Sequence, residues 1–330
     1  SNDYELRAAY NKLVTEYNKV KDKKDDLAAA VYGAVKDEIS TLSFPNVPSP
    51  KKDRRTKGEE VAVAVLADWQ LAKITPDYDS SVCEERIQKF AEKVVDLTNI
   101  QRENHPVKKL HVWALGDIVE GELIFPGQSF LIDGGLYRQV TVDGPRIMAT
   151  FLRTMLENFD SVHVSGVIGN HGAIGGRARK DHDPETNADR MLYRIISLMF
   201  ESEPRITFDI PDGHGERNWY TVDRIGNYSC LLCHGDQFRS FGSFYPFQKK
   251  IYGWKVGAVA EDFKDVFCGH WHTPTKMTFN TVQCRVAGSP ESTNTYAMES
   301  LAAIGRPSQH LQFVHPENGI VTAEYTCWLD

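Results

Sequence analysis

No apolar run in this 330-residue chain approaches the roughly 20 residues that a membrane-spanning helix needs. No signal-peptide pattern opens it, so a cytoplasmic setting is expected, in a bacterial or phage-infected host cell, with no membrane partner. An excess of positive charge is also missing: 38 Lys and Arg against 45 Asp and Glu leave a formal charge of -7. Such a chain has no overall basic field to draw it onto a polyanion, although a local basic groove is still allowed. No internal repeat occurs, which argues against solenoids and propellers. Cysteine is sparse and unpatterned. The six cysteines mostly sit in apolar runs, as in SCLLCHGD and DVFCGHWH, and the C-x-x-C of Cys230 and Cys233 has no second pair at a zinc-ribbon distance. Buried free thiols in a reducing compartment are the expectation.

Proline is absent from residues 4–42, where charge is dense and Leu6, Tyr10, Leu13, Tyr17 and Val20 recur at three- and four-residue steps. That period predicts an amphipathic helix or helical hairpin, an arm for packing, for homodimer formation or for a helper protein. The following SFPNVPSPKKDRRTKG (43–58) holds three prolines and the basic residues Lys51, Lys52, Arg54, Arg55 and Lys57, and reads as a linker. Residues 1–58 are therefore expected to form an N-terminal helical arm and linker, and 59–330 the compact domain.

With 41% hydrophobic and 25% charged residues the chain is ordinary globular material. VAVAVLAD (61–68) and KLHVWALGD (109–117) are continuous apolar runs, the pattern of strands buried on both faces. SVHVSGVIGNH (161–171) reads as a third strand, and helical periodicity marks 82–104, 144–158 and 184–201. Strands are expected near 205–210, 218–224, 228–234 and 265–270, with a Gly- and aromatic-rich loop running through 254. Alternation at 276–288, 310–314 and 319–327 predicts antiparallel strands at the end. Strands alternating with helices, followed by a strand-rich tail, indicate an α/β layered fold with helices outside packed sheets.

The informative pattern is where the polar residues fall. Four apolar strands end abruptly in a metal-ligand type: Asp68, Asp117, Asn170-His171 and His234. A fifth ends in Gly269-His270-Trp271-His272. Singly, each is more often a turn or a satisfied polar contact. Five in order, each closing a buried strand, point to carboxylates, an amide and imidazoles gathered at one sheet edge around divalent cations.

The ordered blocks D-x-Q (68–70), GD (116–117), GNH (169–171), HGD (234–236) and GHWH (269–272) resemble the calcineurin-like metallophosphoesterase superfamily over about residues 60 to 290. Within it, the long spacing from GD to GNH and the long loop after GNH look most like the DNA repair exonuclease branch, including phage-type relatives. The resemblance implies a layered β-sandwich flanked by helices, carrying two divalent metal ions. Asp117 would bridge both; Asp68 and His272 would complete the first site, and Asn170, His234 and His270 the second. His171 would bind no metal but stand beside the leaving group as phosphate-orienting residue and general acid. One position departs from the pattern. Gln70 stands where the family usually has histidine, and it is either an oxygen ligand of a looser first site or a neighbour supporting one. Mn²⁺ is the first expectation, with Mg²⁺, Fe²⁺ or Zn²⁺ as alternatives.

The implied chemistry is hydrolysis of a phosphate ester by a metal-bridging hydroxide. Arg177 and Arg179, in GRARK after the GNH block, are the local candidates for substrate phosphate contacts. DNA is the expected substrate. The segment 234–255 interleaves Phe238, Phe241, Phe244, Tyr245, Phe247, Tyr252 and Trp254 with Arg239, Lys249, Lys250 and Lys255, a composition suited to stacking bases and tracking phosphates. The alternative for that segment is a helical cap with its aromatics in the core. The alternatives for the whole chain are a phosphatase or phosphodiesterase on small nucleotides or phosphoproteins, and a partner-binding metal fold without turnover.

Overall fold

The computed structural model of the chain describes residues 11, 12, 14, 15, 19, 29, 30, 33–37, 46–174, 182–239, 243–291 and 305–330. The chain divides into two units, Ser1–Ser43 and Phe44–Asp330. In the first, the described residues are helical, including the run 33–37. The division falls before the proline-rich stretch rather than after it. Val47 is buried and its carbonyl accepts a 2.9 Å hydrogen bond from the Arg205 guanidinium, so this stretch lies on the second unit.

The second unit is built on two sheets. The first has the order β11-β10-β1-β2-β3-β4, with β1 Glu60–Leu66, β2 Val107–Ala114, β3 Ser161–Gly166, β4 Ile206–Asp209, β10 Ser308–His315 and β11 Ile320–Trp328. Strands β1 to β4 run parallel, and β10 and β11 add on antiparallel. The second sheet has the order β5-β6-β7-β9-β8, with β5 Tyr220–Ile225, β6 Tyr228–Cys233, β7 Asp265–Cys268, β8 Thr275–Phe279 and β9 Val282–Val286. Here β6, β7 and β9 are mutually parallel, while β5 and β8 pair antiparallel at the edges.

Every residue of β1 is buried, as its unbroken apolar run requires. Alternate positions Val61, Val63, Val65 and Ala67 face the second sheet, meeting Cys230, Leu232 and Phe267 in the layer between the sheets. Helices α1 (Ser80–Arg102) and α2 (Gly144–Asn158) pack against the first sheet, while α3 (Ala188–Met199) packs on α2 and donates its Tyr193 hydroxyl to Val167 O at 3.1 Å, just past β3. Phe90 of α1 stacks on Phe151 of α2 at 5.9 Å between centroids. Asp79 caps α1 by accepting from the Val82 N–H at 2.9 Å.

Helix α4 (Phe244–Gly253) lies in the segment expected as a Gly- and aromatic-rich loop, with a helical cap as the alternative. It covers the outer face of the second sheet, and Phe238, Phe247, Ile251 and Trp254 are buried there with Leu231 and Phe263. The spacing of 247, 251 and 254 is a helical stripe that the local glycines obscure. The core-packed alternative therefore holds for Phe238, Phe247 and Trp254, whereas Phe244 and Tyr245 are exposed; Phe241 lies outside the described residues. All six cysteines are free and buried. Among the described residues no helix is long and apolar enough to cross a membrane.

Candidate metal centre

Because β1, β2 and β3 are parallel, and β6 and β7 likewise, their C-terminal ends deliver the loops that carry the polar blocks to one rim. The loops are stitched across the sheets. The Asp68 N–H donates to Gly116 O at 3.1 Å, and the Gly269 N–H to His234 O at 2.7 Å. The His270 N–H reaches the Asp68 carboxylate at 2.9 and 3.0 Å.

Among the described residues, seven non-glycine residues have left-handed backbone, and five of them are Asp68 (φ 52°), Gln70 (48°), Asp117 (51°), His270 (70°) and His272 (53°). Such conformations cost on the order of 1 kcal/mol or more each and persist only where the surroundings impose them. Two glycines make room for the carboxylates. A Cβ on Gly169 would stand 2.1 Å from Asp117 Oδ1, and one on Gly269 would stand 2.4 Å from Asp68 Oδ2.

At the centre, His234 is fully buried. Its Nδ1–H donates to Leu115 O at 2.8 Å, so in the neutral ring Nε2 carries a lone pair. That nitrogen is surrounded by Asn170 Oδ1 at 3.0 Å, Asp117 Oδ2 at 3.1 Å and His270 Nδ1 at 3.1 Å. These are all electron-pair donors; only a proton or a metal cation can reconcile them. Gln70 donates its Nε2 to Asp117 Oδ2 at 3.3 Å. The reverse orientation would set its carbonyl against a carboxylate, so Oε1 points away, and it is buried without a hydrogen-bond partner. A buried orphan oxygen beside carboxylates and imidazoles is what a cation ligand looks like before the cation is added. The donor set fits divalent metal.

The titration pattern agrees. Burial alone would raise Asp117, but His234 and His171 hold it well below the ordinary carboxylate range. Burial would lower His234 and His272, yet Asp117 raises the first to about 8 and Asp68 raises the second to about 10. Burial and the neighbouring His234 push His270 down to about 3. Protons thus sit on the imidazoles beside carboxylates, in the places cations would take.

His171 stands at the edge of this cluster. Its backbone N–H donates to Asp117 Oδ1 at 2.8 Å, and its Nδ1–H to Glu120 O at 2.9 Å, with Glu120 Oε2 at 3.3 Å. Burial would lower it, but Asp117 and Glu120 raise it to about 9. Arg177 and Arg179 lie outside the described residues.

Several residues that build the site were not singled out from the sequence. The Asp189 carboxylate, at the start of α3, accepts from the N–H groups of Asp117 (2.9 Å), Ile118 (3.0 Å), Val119 (3.2 Å) and Gly169 (2.9 Å). Asn187 caps α3 through the Asp189 N–H at 2.9 Å and also donates to Gly169 O at 2.9 Å. Glu291 lies 3.4 Å from His272 Nδ1 and 2.8 Å from Lys73 Nζ. The Ser289 hydroxyl donates to Asp68 O at 2.6 Å. An acid in the first turn of a helix is ordinary capping chemistry, so only GDIVE, with Glu120 three residues after Asp117, offered a sequence signal.

No family model and no curated protein matches the chain. Among solved structures it is similar to a novel archaeal phosphodiesterase at 10% identity, covering 80% of this chain and 99% of that one with a TM-score of 0.35. A predicted phosphoesterase from Streptococcus pneumoniae is 13% identical, covering 81% and 98% with a TM-score of 0.32. Wild-type Vps29 complexed with zinc from Entamoeba histolytica is 14% identical, covering 82% and 99% with a TM-score of 0.33. At these values nothing passes from those proteins to this chain.

Proposed function

We propose that the chain is a two-metal phosphodiester hydrolase of the calcineurin-like kind, acting on DNA. The observation that carries this reading is the buried convergence of Asn170 Oδ1, Asp117 Oδ2 and His270 Nδ1 on His234 Nε2, each within 3.1 Å. Asp117, Asn170, His234 and His270 would hold one cation; Asp68, Asp117, His272 and the orphan oxygen of Gln70 would hold the other. Mixed imidazole and oxygen donors suit Mn²⁺. When bound, the pair supplies Lewis acidity toward phosphate oxygens and lowers the pKa of a bound water.

The chain's own contribution is orientation and proton supply. Glu120 fixes the His171 ring through Nδ1, leaving Nε2 to hold a phosphoryl oxygen or give a proton to the leaving oxygen. Asp189 gathers the backbone N–H groups of the GD and GNH loops, so Asp117 and Asn170 share one anchor. Support for DNA comes from Phe244 and Tyr245, exposed on α4 in the same segment as exposed Arg239, Lys249 and Lys250. One observation favours a second reading, a phosphatase or phosphodiesterase for small nucleotides: the net charge of -7 resists a long polyanion.

The test is an assay of single-stranded DNA, bis-p-nitrophenyl phosphate and p-nitrophenyl phosphate side by side in Mn²⁺. Cleavage of the first two is expected. Diester cleavage without DNA cleavage would remove the DNA substrate, and monoester preference would favour the second reading. Silence on all three would leave a metal-binding fold without turnover.

A further inference from the structure

A second group of metal-ligand side chains lies elsewhere, where the two sheets meet at β5, and the proposed hydrolysis makes no use of it. His111 on β2 and His163 on β3 are cross-strand partners, and His163 in turn pairs with Thr207 on β4. One row across the first sheet thus carries two imidazoles and a hydroxyl. Facing it is Asp223, on β5 at the edge of the second sheet. The potential ligand atoms of His111, His163 and Asp223 all lie within 4.8 Å of one another. His111 is three residues before the end of its strand, about 10 Å short of the rim where Asp117 begins the other cluster.

We propose that His111, His163 and Asp223 form a separate binding site for a zinc-type divalent cation that pins the edge of the second sheet to the first. The supporting contacts are those of a built ligand set. Trp113 Nε1–H donates to Asp223 Oδ2 at 2.6 Å and so fixes the carboxylate. Thr207 Oγ1 stands 2.8 Å from His163 Nδ1 and can accept its proton, which leaves Nε2 as the free lone pair. That nitrogen faces Asp223 Oδ1 at 3.8 Å, too far for a hydrogen bond and open enough for an ion to come between. On the other side His111 Nδ1 meets Asp223 Oδ2 at 2.6 Å.

A plain inter-sheet clasp would need only the second of these contacts. It leaves unexplained why another imidazole is oriented from behind and held just out of hydrogen-bonding range. Ligands around tetrahedral zinc stand about 3.3 Å apart, so the His111–Asp223 pair at 2.6 Å would open and the His163–Asp223 pair at 3.8 Å would close around one. Two nitrogens and one carboxylate oxygen suit zinc better than Ca²⁺ or Mg²⁺, which take oxygen cages. His163 is 30% exposed and leaves a way in for the ion and for a water as fourth ligand.

The experiment is equilibrium dialysis of the full chain against zinc alone, with metal analysis, on the wild type, His163→Ala and Asp223→Asn. Asn keeps an acceptor for Trp113 and His111 while removing the charge. Each variant is expected to hold one zinc fewer than the wild type, with affinity at this site weakened by about 100-fold or more, beyond the usual cost of losing a supporting hydrogen bond. Equal zinc content in wild type and variants would overturn the proposal. Should a variant fail to fold, the wild type alone decides: zinc-edge anomalous diffraction is expected to place a peak between the two imidazoles and Asp223, and no peak there would overturn the site. Neither outcome bears on the Asp117 cluster, which would be occupied or empty independently.

Discussion

Gln70 occupies a position where imidazole would be the stronger ligand, and its geometry explains how an amide can serve. Its Nε2 holds Asp117 while Oε1 stays buried and unpaired. Gln70→His should tighten the adjacent metal site, and unchanged affinity in a Mn²⁺ titration would mean that the amide oxygen is not a ligand. His171 differs in kind, because it touches the cluster only through its backbone and sits on Glu120. His171→Ala should keep both cations yet lose turnover by about 10²–10⁴-fold; metal content that collapses with activity would contradict its role. Glu120 offers a finer test. With His171 needed protonated, activity should fall as pH rises past its pKa, which Asp117 and Glu120 raise in the metal-free chain and Glu120 still raises once cations hold Asp117. Glu120→Gln removes one charge that raises it, so the alkaline limb of the kcat profile should move to lower pH; an unmoved limb contradicts the pairing.

At the scale of elements, strand ends were legible in the sequence and the struts between them were not. VAVAVLAD and WALGD announce buried strands that stop at a charge, and the structure gathers the residues that close β1, β2, β3, β6 and β7 at one rim. Asp189 illustrates what is missed. In sequence it is an acid opening a helix, and only folding reveals that its carboxylate spans the loops after β2 and β3. Asp189→Ala should cost about 3 kcal/mol or more in urea unfolding, since several buried N–H groups lose their acceptor, and a smaller loss would show that water replaces it. Helix α4 was partly hidden by glycines and a proline, a helical cap being only the alternative for that aromatic-rich stretch, although its stripe at 247, 251 and 254 is helical. The His111–His163–Asp223 group was equally hidden, because its members come from different strands of two sheets.

For the whole molecule, stability should be tied to pH and to metal through the same rim. Burial would raise Glu291, but its hydrogen bond to His272 and the charge of Lys73 bring it from 4.5 to about 2. A depressed carboxylate stabilises the fold fully above its unfolded value and stops doing so as pH falls through its folded value. About 3 kcal/mol should therefore disappear between roughly pH 4.5 and 2 in chelated protein. Glu291→Gln should flatten unfolding free energy over that window, and an unchanged slope would contradict the pairing. Saturating Mn²⁺ should in turn raise stability by about 2.7 kcal/mol per occupied site at a hundredfold excess over that site's dissociation constant.

Anomalous diffraction at the manganese edge from Mn²⁺-soaked crystals is the most direct measurement. Two peaks are predicted, one bounded by Asp117, Asn170, His234 and His270, the other by Asp68, Gln70, Asp117 and His272. Empty density at this rim in manganese-saturated crystals would contradict the account.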